Sequence, residues 1–124
     1  MHASNQELSW LRSDQVLIVD DDPDLLESIA GVLRTIGCTC HTAESCTDAA
    51  KLLADNSSIT IAIVDAGATR GALAASIAIL RKARSGLTLI GTSGADSHAA
   101  FESVGVFKYL AKPWGVDDLI KLLT

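Results

Sequence analysis

No apolar run in the chain approaches the roughly 20 residues needed to cross a bilayer, so a membrane-spanning helix is excluded. The first fourteen residues, MHASNQELSWLRSD, hold neither a basic start followed by an apolar stretch nor a small-residue cleavage site. They carry no secretory signal, and a cytoplasmic location is the expectation. Positive charge is also scarce. Ten Lys plus Arg against fifteen Asp plus Glu give a formal charge of -5. That balance repels a phosphate backbone, so nucleic acid is not expected as a direct partner. Cysteine is limited to Cys38, Cys40 and Cys46, an odd number at no metal-ligand spacing. His41 beside them does not complete a zinc site, which wants four ligands at regular spacing. The three thiols are expected as small buried hydrophobes in a reducing compartment. Internal repeats and low-complexity tracts are missing as well.

What remains is an ordinary globular composition, 48% hydrophobic and 20% charged, in 124 residues. That length supports one domain and a core that stands without disulfides or structural metal. Beyond a polar tail at 1–14, short β-branched runs alternate five times with longer amphipathic ones across residues 15–124. Val16 to Val19 reads as a strand buried on both faces. Asp22 then offers a cap, Pro23 suits a first helical position, and Asp24 and Glu27 place negative charge at the positive helix end. Leu25, Ile29, Leu33 and Ile36 repeat at helical spacing, and Gly37 supplies a common helix stop. The pattern predicts further strands at Cys38–Thr42, Ile59–Val64, Leu87–Gly91 and Val106–Leu110. Helices are predicted from a Ser45/Asp48 capping box to about Asn56, and over about Ala72–Ala83 and Ala95–Ser103, with a last one from about Val116.

Five βα units of this length predict a doubly wound α/β fold, with right-handed crossovers placing helices on both faces of a parallel sheet. Ligands in such sheets bind beyond the carboxyl ends of the strands. The polar residues there are Asp20-Asp21-Asp22 after the first strand, Asp65 after the third, Thr92-Ser93 after the fourth, and Lys112-Pro113 past the fifth. A single strand-end Asp is more often a helix cap than a functional group, but this many strand ends agreeing is hard to obtain by capping. If the first and third strands are neighbours, Asp20, Asp21 and Asp65 crowd together. Two like charges about 4 Å apart repel by about 4 kcal/mol at an effective dielectric near 20, so a cation or shifted protonation is needed. Magnesium suits such a site, since it is typically held by one or two carboxylates plus phosphate oxygens. A carboxylate beside a metal, with a Lys and a hydroxyl opposite, is equipment for phosphoryl transfer, and the carboxylate can itself be the nucleophile.

The segments VLIVDDDP, IAIVD, LIGTSG and YLAKPW, in that order, resemble the receiver domain of two-component response regulators, a CheY-like family, over about Gln15 to Thr124. The resemblance implies a flavodoxin-like five-stranded parallel sheet of order 2-1-3-4-5. It implies Asp65 as phosphoacceptor, and Mg2+ bound by Asp21, Asp65 and the backbone carbonyl of Gly67, with Asp20 assisting directly or through water. Thr92 would bond the phosphoryl group and Lys112 would pair with its oxygens. Pro113 would follow a cis peptide, Tyr109 would be the aromatic switch that moves with Thr92, and Ser93 would leave the acceptor accessible. A histidine kinase or phosphotransfer protein would be the donor. A downstream effector would read the surface from Ala95 to Leu123. With no output domain in the segment, excision from a hybrid kinase or multidomain regulator is an expectation.

One departure stands out. Receiver domains usually follow the acceptor with Met-Pro or Leu-Pro and a later Gly, whereas this chain reads Ala66-Gly67-Ala68-Thr69-Arg70-Gly71, without proline and a residue or two short. Neutral loop variation is the favoured reading, because the acceptor, metal, Thr and Lys positions are filled. A constitutive pseudo-receiver, binding partners without phosphorylation, is the alternative that this loop supports. A haloacid-dehalogenase-like phosphatase with Asp20 as nucleophile is a further one, although Asp24 stands where that family has Thr. Trp114 is expected to pack at the core edge. Trp10, with Leu8 and Leu11, is expected in a linker. His2, His41 and His98 lack strand-end placement and are not expected as phosphodonors.

Overall fold

The computed structural model describes residues 14–123; the tail, with Leu8, Trp10, Leu11 and His2, lies outside the described residues. The chain alternates β1 (Gln15–Val19), α1 (Pro23–Thr35), β2 (Thr39–Ala43), α2 (Cys46–Asp55), β3 (Ile59–Asp65), α3 (Leu73–Ala83), β4 (Thr88–Ser93), α4 (His98–Ser103), β5 (Lys108–Ala111) and α5 (Val116–Leu123). The strands form one parallel sheet of order β2-β1-β3-β4-β5. This is the doubly wound arrangement that the βα alternation predicts.

Alternate residues of each central strand feed two cores, because successive side chains of a strand point to opposite faces. Val16 and Ile18 of β1 and Ile61 and Ile63 of β3 pack with Leu26, Ala30 and Leu33 of α1 and Leu119 and Ile120 of α5. Leu17, Val19, Ala62 and Val64 face the other way, onto Ala49 and Leu53 of α2, Ile77 and Leu80 of α3, and Phe101 of α4. Each such fully buried aliphatic side chain contributes about 1.5–3 kcal/mol. The continuous burial of β1 and β3 is therefore what fixes the strand ends that carry the acidic residues.

The caps form largely as expected. Asp22 accepts from the amides of Asp24 (3.1 Å) and Leu25 (3.3 Å), with Pro23 at the first helical position. Ser45 Oγ accepts from Asp48 N at 3.1 Å, so one half of the predicted box is present. Asp48 meanwhile lies 4.0 Å from Lys51. Cys38, Cys40 and Cys46 are buried and free. Burial, the leading cause, pushes the Cys38 thiol up to about 11 and Cys40 up to about 12.

The boundaries differ most around α4. Strand β4 runs on through Thr92 and Ser93, because Asp65 pairs with Thr92 and Ser93 pairs with Ala111. Helix α4 begins at His98, not Ala95: Ser93 Oγ accepts from Ala95 N (3.0 Å) and bonds Ser97 Oγ (3.2 Å), which ties the intervening residues into a loop. Val106 is buried, but its amide bonds Phe101 O, so it closes the α4 turn and β5 starts two residues later. Gly91 is required where α4 crosses β4, since a Cβ there would lie 2.6 Å from the Phe101 ring. Among the described residues no helix is long and apolar enough to cross a membrane.

Candidate functional site

At the carboxyl end of the sheet, β1 ends one residue before Asp20, whose amide bonds Ala43 O at 3.1 Å and so fixes the turn against β2. Asp20 is 2% exposed. Its Oδ1 accepts from Asp22 N (3.0 Å) and its Oδ2 from Lys112 Nζ (2.8 Å). Asp65 closes β3, and Lys112 Nζ reaches its Oδ1 at 2.9 Å. The amine thus bridges two buried carboxylates supplied by different strands. Asp21, exposed beside them, completes a group of three acidic residues with ligand atoms all within 4.8 Å of one another.

Lys112 is placed by its own amide, which bonds Ser93 O (3.0 Å), and by the cis Lys112–Pro113 peptide. Burial pulls its amine pKa down, but the hydrogen bonds and charges of Asp20 and Asp65 outweigh that and hold it above the ordinary lysine value. The amine is therefore charged at neutral pH. One positive charge against three carboxylates still leaves the cluster about two units negative, which a hard divalent cation with oxygen ligands would offset.

The loop after Asp65 shapes the remaining wall. Ala66–Thr69 forms a 3₁₀ turn, closed by Arg70 in a left-handed conformation (φ 50°), whose amide bonds Gly67 O at 3.2 Å. Thr69 stands in the proline-free stretch; it is buried and its Oγ1 donates to Ala66 O (2.6 Å), which closes the turn from within. A Cβ on Gly67 would lie 2.7 Å from Asp65 Oδ2 and 3.1 Å from Asp21 Oδ1. Glycine at 67 keeps open the space between the Asp21 and Asp65 carboxylates. The donor set and this cradle fit a small oxygen-ligated cation. The Gly67 carbonyl, with a second lone pair beyond its bond to Arg70, retains acceptor capacity.

The hydroxyls on this side of the rim are engaged within the protein. Thr92 is next to Asp65 in register, but its Oγ1 donates to Leu110 O at 2.6 Å. Ser93, expected only as a small residue, is instead the acceptor that organises the β4–α4 loop. Tyr109 is half-buried; its hydroxyl donates to Ala95 O (3.0 Å) and accepts from Ser97 N (3.4 Å). Its ring stacks on His98 with centroids 4.8 Å apart and planes 7° from parallel. Sequence reasoning missed His98 because nothing local marks it. Trp114 packs against the α1/α5 core as expected, with a buried indole Nε1 that has no hydrogen-bond partner among the described residues. A cavity of about 500 Å³ opens beside it, along β5 and α5 and away from the carboxylates.

Asp20 is buried with each oxygen accepting one hydrogen bond, from Asp22 N and Lys112 Nζ, whereas Asp65 Oδ2 borders the space over Gly67.

Comparison with solved structures gives the fold independently. A response regulator protein from Burkholderia pseudomallei, solved with a phosphorylated aspartic acid, calcium ion and citrate, superposes with a TM-score of 0.78 at 21% identity. It covers 90% of this chain, which spans 66% of that protein. The signal receiver domain of an HD domain-containing protein from Pseudomonas fluorescens matches with a TM-score of 0.76 and 24% identity, over 90% of this chain and 92% of its own. A CheY-like receiver domain protein from Methanospirillum hungatei gives 0.75 and 21%, over 89% and 90%. No curated protein matches. The family model described as response regulator receiver domain matches residues 16–124, and on that match the chain belongs to the response regulator receiver domain family.

Proposed function

We propose that the chain is a phosphoacceptor domain, taking a phosphoryl group from a phosphohistidine of a histidine kinase or phosphotransfer protein onto Asp65. The observation that carries this reading is the bridge of Lys112 Nζ to Asp20 Oδ2 and Asp65 Oδ1, with the Asp21 carboxylate alongside. One oxygen of Asp65 is held by the lysine while the other, Oδ2, borders the space over Gly67. In the transfer, a carboxylate oxygen of Asp65 forms the new O–P bond as the P–N bond of the donor breaks. The electron pair stays on the imidazole nitrogen, which takes up a proton. Asp21, Asp65 and the Gly67 carbonyl, with Asp20 directly or through water, would hold Mg2+, which would supply positive charge against the phosphoryl oxygens. Lys112 neutralises the same oxygens from the opposite side. Thr92 donates to them once it leaves the Leu110 carbonyl, and Tyr109 follows as the aromatic switch. The phosphoryl group thereby favours one of two conformations, and an effector reads the change on the surface from Ala95 to Leu123.

The test uses acetyl phosphate with Mg2+ and intact-mass detection. One added phosphoryl group is expected, absent in Asp65→Asn and lost when the cation is chelated. Failure of the wild-type chain to incorporate phosphorus, with the fold intact, would instead support the constitutive pseudo-receiver that the proline-free loop suggests.

A further inference from the structure

Within that proposed switching, Tyr109 has a partner whose role the phosphoacceptor chemistry does not explain. His98 opens α4, and its imidazole lies nearly parallel to the Tyr109 ring at 4.8 Å. Behind the pair, Phe101 meets the same tyrosine at 5.9 Å with a 50° tilt. The tyrosine hydroxyl is tied to Ala95 O and Ser97 N, and those residues are tied in turn to Ser93 Oγ. A continuous set of contacts therefore runs from the rim of the acidic site to His98. We propose that His98 is a positioning residue for the switch: its ring clamps Tyr109 against the β4–α4 loop in the arrangement where Thr92 is committed to Leu110.

The sign follows from hydrogen-bond supply. A threonine hydroxyl has one donor hydrogen, and that of Thr92 is engaged with the Leu110 carbonyl at 2.6 Å. This arrangement competes with donation to a phosphoryl oxygen on Asp65. Whatever steadies Tyr109 here opposes the phosphorylated conformation. The stack is a strong candidate for that steadying, because α4 has six residues, buries Phe101, and has no side-chain cap among the described residues. Glu102 Oε1, on the same helix, lies 3.7 Å from His98 Nε2. An aromatic pair contributes enough to move a two-state balance about 2- to 10-fold.

The experiment compares wild type, His98→Ala, His98→Phe, Tyr109→Ala and the double variant His98→Ala with Tyr109→Ala by two readouts. The first is the aromatic NMR signal of Tyr109 in the free protein. His98→Ala is expected to shift those resonances toward averaged rotamers, while His98→Phe keeps them near wild type. The second is the titration of beryllofluoride in the presence of Mg2+. His98→Ala should bind the mimic about 2- to 10-fold more tightly, His98→Phe should restore wild-type affinity, and His98→Ala should have no effect in the Tyr109→Ala background. Unchanged Tyr109 signals in His98→Ala overturn the inference whatever the mimic does, as does unchanged or weaker binding by His98→Ala in a chain that binds it. If the tyrosine signals move as expected but neither protein responds to the mimic, the clamp stands and the phosphoacceptor reading fails.

Discussion

Helices α1 and α4 occupy equivalent places in the first and fourth βα units, yet they are held very differently. Helix α1 has thirteen residues, an Asp22 cap that accepts two amides, a Pro at its start, and three buried side chains, Leu26, Ala30 and Leu33. Helix α4 has six residues, one buried side chain and no side-chain cap among the described residues. The acidic residues of the site follow the strands packed under the first kind of support. Tyr109 and the β4–α4 loop rest on the second. The carboxylates sit on the half with more buried support, and the half with fewer contacts is the one expected to open more readily, since local stability sets what can move.

The largest effect that separates the two halves should come from paired core truncations. Leu33→Ala removes a fully buried side chain from α1 and is expected to cost about 2–5 kcal/mol in urea unfolding, with the whole sheet losing protection together. Phe101→Ala removes the one buried anchor of α4. Although phenylalanine truncations ordinarily cost about 3–5 kcal/mol, the expected signature here is local: amide exchange in α4 approaches that of an open segment, while β1 and β3 stay protected. Equal, global loss of protection in both variants would erase the distinction between the halves.

A smaller effect probes the rigid half at the site itself. Gly67→Ala places a methyl group 2.7 Å from Asp65 Oδ2, and the space between the Asp21 and Asp65 carboxylates closes. Mg2+ affinity by calorimetry is expected to fall about 10-fold, equivalent to about 1.4 kcal/mol. The fold should survive, because the residue is exposed. If affinity is unchanged, the carboxylates have room to yield, and the acidic end is less rigid than its packing implies.

Much of the rigid half was legible in the sequence, because its determinants are local. Val16 to Val19 and Ile59 to Val64 announce buried parallel strands by composition, and Asp22-Pro23 announces a helix start. The strand ends then expose Asp20, Asp21, Asp65 and Lys112 as a candidate site, although the direct bonds of Lys112 to Asp65 and to Asp20, ninety-two residues away, were not among the expectations. The α4 region was less legible for a physical reason. Ala95 to Ser103 has helical composition, but Ser93 draws Ala95 and Ser97 into a loop by side-chain bonds that no periodicity encodes. Val106 looks like the start of a strand and instead seals a turn. The His98–Tyr109 stack joins residues on different elements, so no local pattern signals it.

The three cysteines offer the finest measure of the contrast, since Cys38 and Cys40 belong to the core beneath α1 and α5. Burial raises their thiols to about 11 and about 12, so in the folded chain they remain protonated well above the range where a free cysteine ionises. Groups with a raised folded pKa stabilise the fold below the unfolded value and lose that contribution as pH climbs toward the folded one. Stability should therefore be flat up to about pH 8 and decline above about pH 8.5, by about 2 kcal/mol per thiol by pH 10. Iodoacetamide labelling at pH 8 reads the same property kinetically. Because the thiolate is the reactive form, modification of Cys38 and Cys40 must wait for their cover to open, and should be slow compared with amide exchange in α4. Rapid labelling without loss of structure would mean that the α1 half opens as readily as the other, and the difference in packing would then have no counterpart in motion.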